Sequence, residues 1–194
     1  MNIKDLDFNI ALIHYPIKDK NNAIIATAVT NMDVHDISRL TATFGLKKYY
    51  VVTPVVEQRA LVNRIRDHWK SDYGKKRNDT RSQALEYLDV AATMEDAIEQ
   101  IKATTGKEVK LVSTSARKFE KSLSIDSFVT GIDPKYAYLL IFGTGWGLTD
   151  EIMEKSDYIL ESLSYDTGYN HLPVRSAVSI MLDRLYNSFR RLKD

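Results

Sequence analysis

Three glycines, Gly143, Gly145 and Gly147, fall within five positions directly after an apolar run from Tyr138 to Phe142. The run is apolar on both faces, as a strand covered on both sides of a parallel sheet must be. Glycine accepts positive φ and lets a backbone approach a ligand closely, and a single turn rarely needs three of them. Thr149 then reads as an N-cap, with Asp150 and Glu151 in the first helical turn, where the helix dipole favours acids. A second apolar strand, Tyr158 to Leu163, and a polar loop, Ser164 to Asn170, lead to a long amphipathic helix, Leu172 to Leu192, with Pro173 at its start. Strand, glycine loop, helix and strand make a ligand cradle at the carboxyl end of a sheet. The absence of GxxxxGK followed by Ser or Thr excludes a P-loop. The spacing is GxGxG rather than the dinucleotide GxGxxG, yet Glu161 stands at the end of the next strand, as a ribose-binding acid would. A Rossmann-like dinucleotide oxidoreductase is therefore a second reading.

The elements that must position this cradle alternate along the chain. Phe8 to Tyr15 reads as the first strand, stopped by Pro16, and "AIIATAV" after it is extended. Asp33 reads as the N-cap of a helix through Phe44, with Gly45 as its C-cap. Lys47 to Thr53 is a second strand, and Pro54 opens a helix whose Val55, Leu61, Val62, Ile65 and Trp69 fall roughly at helical spacing. Lys70 to Arg81 reads as the longest irregular stretch and the most basic. Lys75, Lys76 and Arg77 stand there beside Trp69 and Tyr73, offering phosphate contacts and stacking surfaces. A helix, Ser82 to Leu88, a short strand and a helix capped by Thr93 and stopped by Gly106 follow. Val109 to Ser113 is a strand, and residues 118–135 form a helix or loop before the central strand. This alternation argues for one α/β domain with a mostly parallel sheet and helices on both faces.

Composition narrows the class. At 194 residues the chain suits one well-buried domain. There is no cysteine, which removes disulfides and thiolate metal sites and fits a reducing compartment. The N-terminus lacks a basic start followed by a long apolar core, and no apolar run approaches a membrane span. Formal net charge is +1, so any attraction to nucleic acid must come from local patches. His35 lies beside Asp33 and Asp36 without a third metal ligand, and no metal site is expected.

The wording of two segments is more specific. "FGTGWGL", a strand, and then "YNHLPVRSAVSIMLDRLY" resemble the two C-terminal motifs of the SPOUT superfamily of knotted RNA methyltransferases. "DVHDISRLTATFGLKKYYVVTP" is similar to the N-terminal motif of the SpoU branch. Arg39 occupies the arginine position, and Phe44 and Gly45 follow it at five and six residues. The resemblance implies a single domain over residues 1–194, with a deep C-terminal trefoil knot over about 109–194. It further implies S-adenosylmethionine as cofactor, RNA as substrate (tRNA or rRNA), a homodimer, and a cytoplasmic location without membrane attachment.

The resemblance also implies where the work is done. Gly143, Thr144, Gly145, Gly147, Leu148 and Leu163, with Ile141 and Leu172, would enclose the adenosine. The loop "TSAR" after the preceding strand would add Thr114 and Ser115, and Arg117 a charge for the methionine carboxylate. Arg39 would act at the reacting ribose or its phosphate. Asp166, His171 and Arg175 are further candidates for acid, base or electrostatic work, the last two on one face of the final helix. Lys75, Lys76 and Arg77 would bind RNA. The chain departs from the family pattern in two places. Trp146 replaces the acid usual in the glycine loop, and Pro173 and Arg175 stand where the SpoU branch has Asn and Ser. The wording "DTGYNHLPVRSAV" lies nearer the tRNA guanine-N1 branch. A non-catalytic nucleotide- or RNA-binding module of the same fold is a third reading.

Overall fold

The computed structural model describes residues 3–192, so the outermost residues of the single-domain expectation lie outside it. Its centre is a six-stranded sheet built from β1 (Asp7–Ile13), β4 (Tyr49–Val52), β5 (Leu88–Ala91), β6 (Val109–Ser113), β7 (Ala137–Gly143) and β8 (Tyr158–Ile159). The spatial order is β5-β4-β1-β7-β6-β8, and every pairing is parallel. A small antiparallel ribbon, β2 (Ile17–Lys18) with β3 (Ile24–Ile25), follows β1. The helices are α1 (Asn31–Phe44), α2 (Val56–Lys70), α3 (Asp72–Arg77), α4 (Asp79–Leu85), α5 (Met94–Thr105), α6 (Ile125–Thr130), α7 (Asp150–Lys155) and α8 (Val174–Arg191). No helix among the described residues is long and apolar enough to cross a membrane.

The period-two alternation of each strand divides the interior in two. On β7, Tyr138, Leu140 and Phe142 join one cluster, and Ala137, Leu139 and Ile141 the other. On β1 the same division sends Phe8, Ile10 and Leu12 one way and Ala11 and Ile13 the other. The first cluster is roofed by α1, α2, α4, α6 and α8, the second by α5 and α7. Apolar residues at helical spacing on α8 (Val178, Met181, Leu182, Leu185 and Phe189) are all buried there.

Several local expectations are corrected. The cap of α1 is Thr30, whose hydroxyl accepts from the Asp33 N–H at 3.1 Å and donates to the Asp33 carboxylate at 2.6 Å. Asp33 thus sits one turn inside the helix. The basic stretch after Lys70 is not irregular. Ser71 caps α3 through the Gly74 N–H and Asn78 caps α4 through the Arg81 N–H, so two short helices replace the loop. Leu88 belongs to β5 rather than to the helix before it. The edge strand β8 ends at Ile159: Leu160 N–H still bonds Ser113 O at the end of β6, and Glu161 N–H then takes Leu123 O as its partner. Helix α8 begins at Val174 after Pro173, so His171 and Leu172 lie in the loop and not on the helix face expected for them.

Candidate functional site

The carboxyl ends of β6, β7 and β8 open into a cavity of about 420 Å³. Three loops enclose it: residues 114–117 after β6, residues 143–147 after β7, and the segment from Leu163 to Leu172 after β8. Phe142 forms part of the floor, and Val174, Ala177 and Met181 of α8 form a wall. These three are spaced three and four apart, so one stripe of the helix meets the ligand space.

The glycine loop is shaped by the chain around it. Gly147 has φ of +100° and nothing within 4 Å of the place a Cβ would take, so a ligand can lie directly against its backbone. Gly145 also has positive φ, but a Cβ there would meet Ile17 Cγ2 at 3.1 Å and Lys18 O at 3.3 Å. Gly145 is therefore required by the β2 ribbon behind the loop, not by the ligand in front. At Gly143 a Cβ would stand 2.8 Å from the Leu148 backbone nitrogen. Two hydrogen bonds fasten the loop to β2, from Lys18 N–H to Gly147 O and from Trp146 N–H to Lys18 O.

Polar contacts close the other sides. Asn170 Nδ2 donates to Ala116 O at 2.8 Å, tying the third loop to the first. Lys18 and Arg117 both pair with Asp150, at 2.5 and 3.1 Å, and their hydrogen bonds hold its carboxyl below the usual range. The triad keeps one positive charge in excess at the cavity rim. Trp146 and Tyr169 meet the His171 ring edge-on at 6.1 and 5.4 Å, and all three side chains are exposed at the mouth.

The structure sorts the expected residues. Thr114, Ser115, Gly143, Gly145, Gly147, Leu163, His171 and Leu172 line the cavity. Ile141 does not, because alternation turns it into the second core while Phe142 faces the ligand space. Leu148 is buried in that same core. Thr144 turns its hydroxyl to Ile13 O and Thr27 Oγ1, bracing the loop against β1. Thr114 donates its hydroxyl to Ile141 O at 2.9 Å. Glu161 is no ribose acceptor: it is off the cavity and accepts the Ile125 N–H at the start of α6. Asp166 lies in the exposed third loop with positive φ, its carboxylate 3.5 Å from Ser164 Oγ, and lines no part of the cavity.

Arg39 and Arg175 lie elsewhere, in a second, open groove with Asp36, Leu40, Thr43 and Pro173. Arg175 pairs with Asp36 at 2.8 Å and with the buried Asp33 at 3.3 Å. Arg39 is exposed and makes no ion pair or hydrogen bond among the described residues. Lys75, Lys76 and Arg77 are exposed on α3, remote in sequence from both hollows. Sequence reasoning does not reach Phe142, Asn170, Val174, Ala177 and Met181 as residues of this cavity. The spacing on α8 is a usable signal, but it reads equally well as core.

Residues 7–187 match the SAM-dependent RNA methyltransferase family. The chain belongs to that family. A protein of Aquifex aeolicus is 38% identical over 182 residues, which are 93% of this chain and 89% of that one. A tRNA (guanine-N(1)-)-methyltransferase of Oleidesulfovibrio alaskensis is 39% identical over 175 residues, 90% of this chain. Those residues are 41% of that enzyme, so the chain spans well under half its length. The A. aeolicus TrmH/SpoU tRNA modifying enzyme superposes with a TM-score of 0.57 at 14% identity, over 98% of this chain and 82% of its own. The SpoU methyltransferase AviRb of Streptomyces viridochromogenes, solved with AdoMet, gives 0.56 at 16% identity, over 96% and 59%. At such identities the likeness is one of fold, and the fold is that of the SpoU enzymes. This RNA methyltransferase uses S-adenosylmethionine, and its cavity fits the cofactor in volume, in its apolar lining and in the open backbone at Gly147.

Proposed function

We propose that the methyl acceptor is a nucleotide of tRNA, presented at the Arg39–Arg175 groove to S-adenosylmethionine held in the glycine-loop cavity. The observation that carries this is the position of α8. Its entry separates the two hollows, with Leu172, Val174 and Ala177 on the cavity side and Pro173, Arg175 and Ser176 on the groove side. Bound in the cavity, the cofactor supplies an electrophilic methyl on a sulfonium. The chain's own task is to hold the acceptor in line and take up its proton. His171, at the mouth, is the side chain placed for that proton. Arg175, held by Asp33 and Asp36, is placed to orient a phosphate. Arg39 is free to contact one. The name of the O. alaskensis relative supports tRNA over rRNA, and the wording of the third loop supports the same branch.

The same proposal includes a homodimer, a trefoil knot over about residues 109–194 and a cytoplasmic location. The likeness in fold to the SpoU enzymes, a branch of the knotted superfamily that the motifs resemble, supports the knot. Arg39 stands outside the cavity of its own chain, which supports its serving a partner's site. Incubation with methyl-labelled S-adenosylmethionine and separated tRNA and rRNA, followed by nucleoside mass spectrometry, tests the acceptor. Label in tRNA is expected; label confined to rRNA would move the target, and none in any RNA would defeat the proposal. Co-refolding Arg39→Ala chains with Gly143→Val chains tests the shared site. Recovered methylation is expected, and a protein monomeric by light scattering would exclude the arrangement.

A further inference from the structure

Beyond Arg39, α1 faces a surface whose charge is not balanced. Between Arg64 and Arg81 stand seven Lys or Arg residues against three Asp, in a chain of net charge +1. Arg66 is committed to Asp67 and Asp89. Arg64, Lys70, Lys75, Lys76, Arg77 and Arg81 make no ion pair among the described residues. Most of these cations are exposed. A run of this kind fixed only by solvent gains stability from an anion laid along it.

An aromatic tier lies among these cations. Trp69 rests on the first core with its inner side, and the Arg81 guanidinium covers its ring at 4.7 Å from the centroid. His35 and His68 meet the ring edge-on at 5.8 and 5.2 Å. Together with Arg64 and Asp36 these side chains line an open groove of about 610 Å³, and Tyr73 stands beside it, 66% exposed. Burial first, and Arg81 next, lower the His35 pKa, so its ring stays neutral beside the guanidinium. Asp36 lines this groove and the Arg39 groove alike, so the two adjoin there. From His35 to Arg39 is four residues of helix, about 6 Å along its axis, so the two grooves lie one helical turn apart on α1.

We propose that this groove is a base pocket: one unpaired nucleotide flanking the methylated one stacks on the Arg81–Trp69 tier, while Lys75, Lys76 and Arg77 hold the phosphates beyond it. Stacking suits the purpose because every base has a π-face and a guanidinium plane is a stacking partner in its own right. The pocket rests on the RNA acceptor proposed above and adds the place where neighbouring sequence is gripped.

The test separates bases from phosphates. Fluorescence anisotropy compares oligoadenylate of about twelve nucleotides with an abasic phosphodiester chain of the same length. The wild type is expected to prefer oligoadenylate by about 5- to 100-fold, the range of one stacked base. Trp69→Ala and Arg81→Ala should each shrink that preference towards unity while affinity for the abasic chain and for S-adenosylmethionine holds. Trp69→Phe should restore most of it. Replacing Lys75, Lys76 and Arg77 by Ala should weaken both oligomers equally. The groove is excluded if Trp69→Ala and Arg81→Ala keep the full preference, or if Trp69→Ala loses both oligomers and the cofactor together while Arg81→Ala behaves as wild type. A wild type that binds neither oligomer nor tRNA would instead defeat the RNA acceptor itself, and the pocket with it.

Discussion

The two hollows on either side of the α8 entry are built on opposite plans. The glycine-loop cavity is enclosed, largely apolar, and shaped by backbone: its polar groups already bond one another, as Thr114 does with Ile141 and Asn170 with Ala116. The Arg39–Arg175 groove is open and shaped by charge. Arg175 there is clamped by two aspartates, and Arg39 has no ion pair among the described residues. The contrast matches two kinds of ligand. A small cofactor is bound by removing water around it, whereas a polyanion is met by exposed cations that give up little on contact.

The largest break in this comparison is expected at Gly143. In Gly143→Val even the first side-chain carbon would lie 2.8 Å from the Leu148 backbone, so the loop must move. Calorimetry should detect no S-adenosylmethionine binding, with circular dichroism little changed because Gly143 is the last residue of β7 and the rest of the sheet is untouched. Retained affinity would mean that the cofactor does not depend on this loop. Arg39→Ala should do the opposite. Cofactor affinity should hold while methyl transfer falls by about 10²-fold, the scale set by removing one group that stabilises charge at a reacting centre. Equal losses in binding and rate would erase the distinction between the hollows.

A third effect concerns the buried joint between them. His14, with no exposed surface, bonds Thr27 through Nδ1 at 3.1 Å, and Thr27 in turn contacts Thr144 of the glycine loop. Burial lowers the His14 pKa to about 4, against the opposing influence of Asp33. The folded state therefore resists a proton that the unfolded chain accepts near its ordinary value. The contribution is complete above about pH 6.5 and is lost as pH falls towards 4, about 3 kcal/mol in all. Asp126, Asp133, Asp150 and Glu151, whose pKa values are lowered by hydrogen bonds, act in a more acidic window. Denaturant titrations across pH should show the higher step in the wild type and lack it in His14→Phe. A flat wild-type profile between pH 6.5 and 4 would remove the buried neutral ring from the account.

The smallest effect belongs to α3. Alanine at Lys75, Lys76 and Arg77 should lower the slope of log affinity for RNA against log salt by about 0.7–0.9 for each phosphate that is no longer neutralised. An unchanged slope would leave these residues as solvated surface.

Much of the cradle is legible in the sequence because it is local. The apolar run of β7, the three glycines, the Thr149 cap and the Gly45 and Gly106 stops each depend on a few neighbouring residues, and each stands where its chemistry requires. The short helices around the basic stretch escape such a reading although Ser71 and Asn78 are ordinary caps, because a charge-rich segment of helical turns has no apolar period to announce it. The side of β7 that meets the ligand is equally illegible, since both faces of the strand are apolar.

The sequence by itself determined the fold class and the glycine loop, because periodicity, caps and glycine geometry act over a few residues, and the wording of its motifs pointed to the family. Tertiary structure alone decided which partner each polar group has. It set Thr144 against β1, Glu161 against α6 and Gly145 against β2, and it gave Arg175 to Asp33 and Asp36, leaving Arg39 without an ion pair among the described residues. These pairings join residues scores of positions apart, and a side chain's hydrogen bonds depend on what the folded backbone brings within about 3 Å of it.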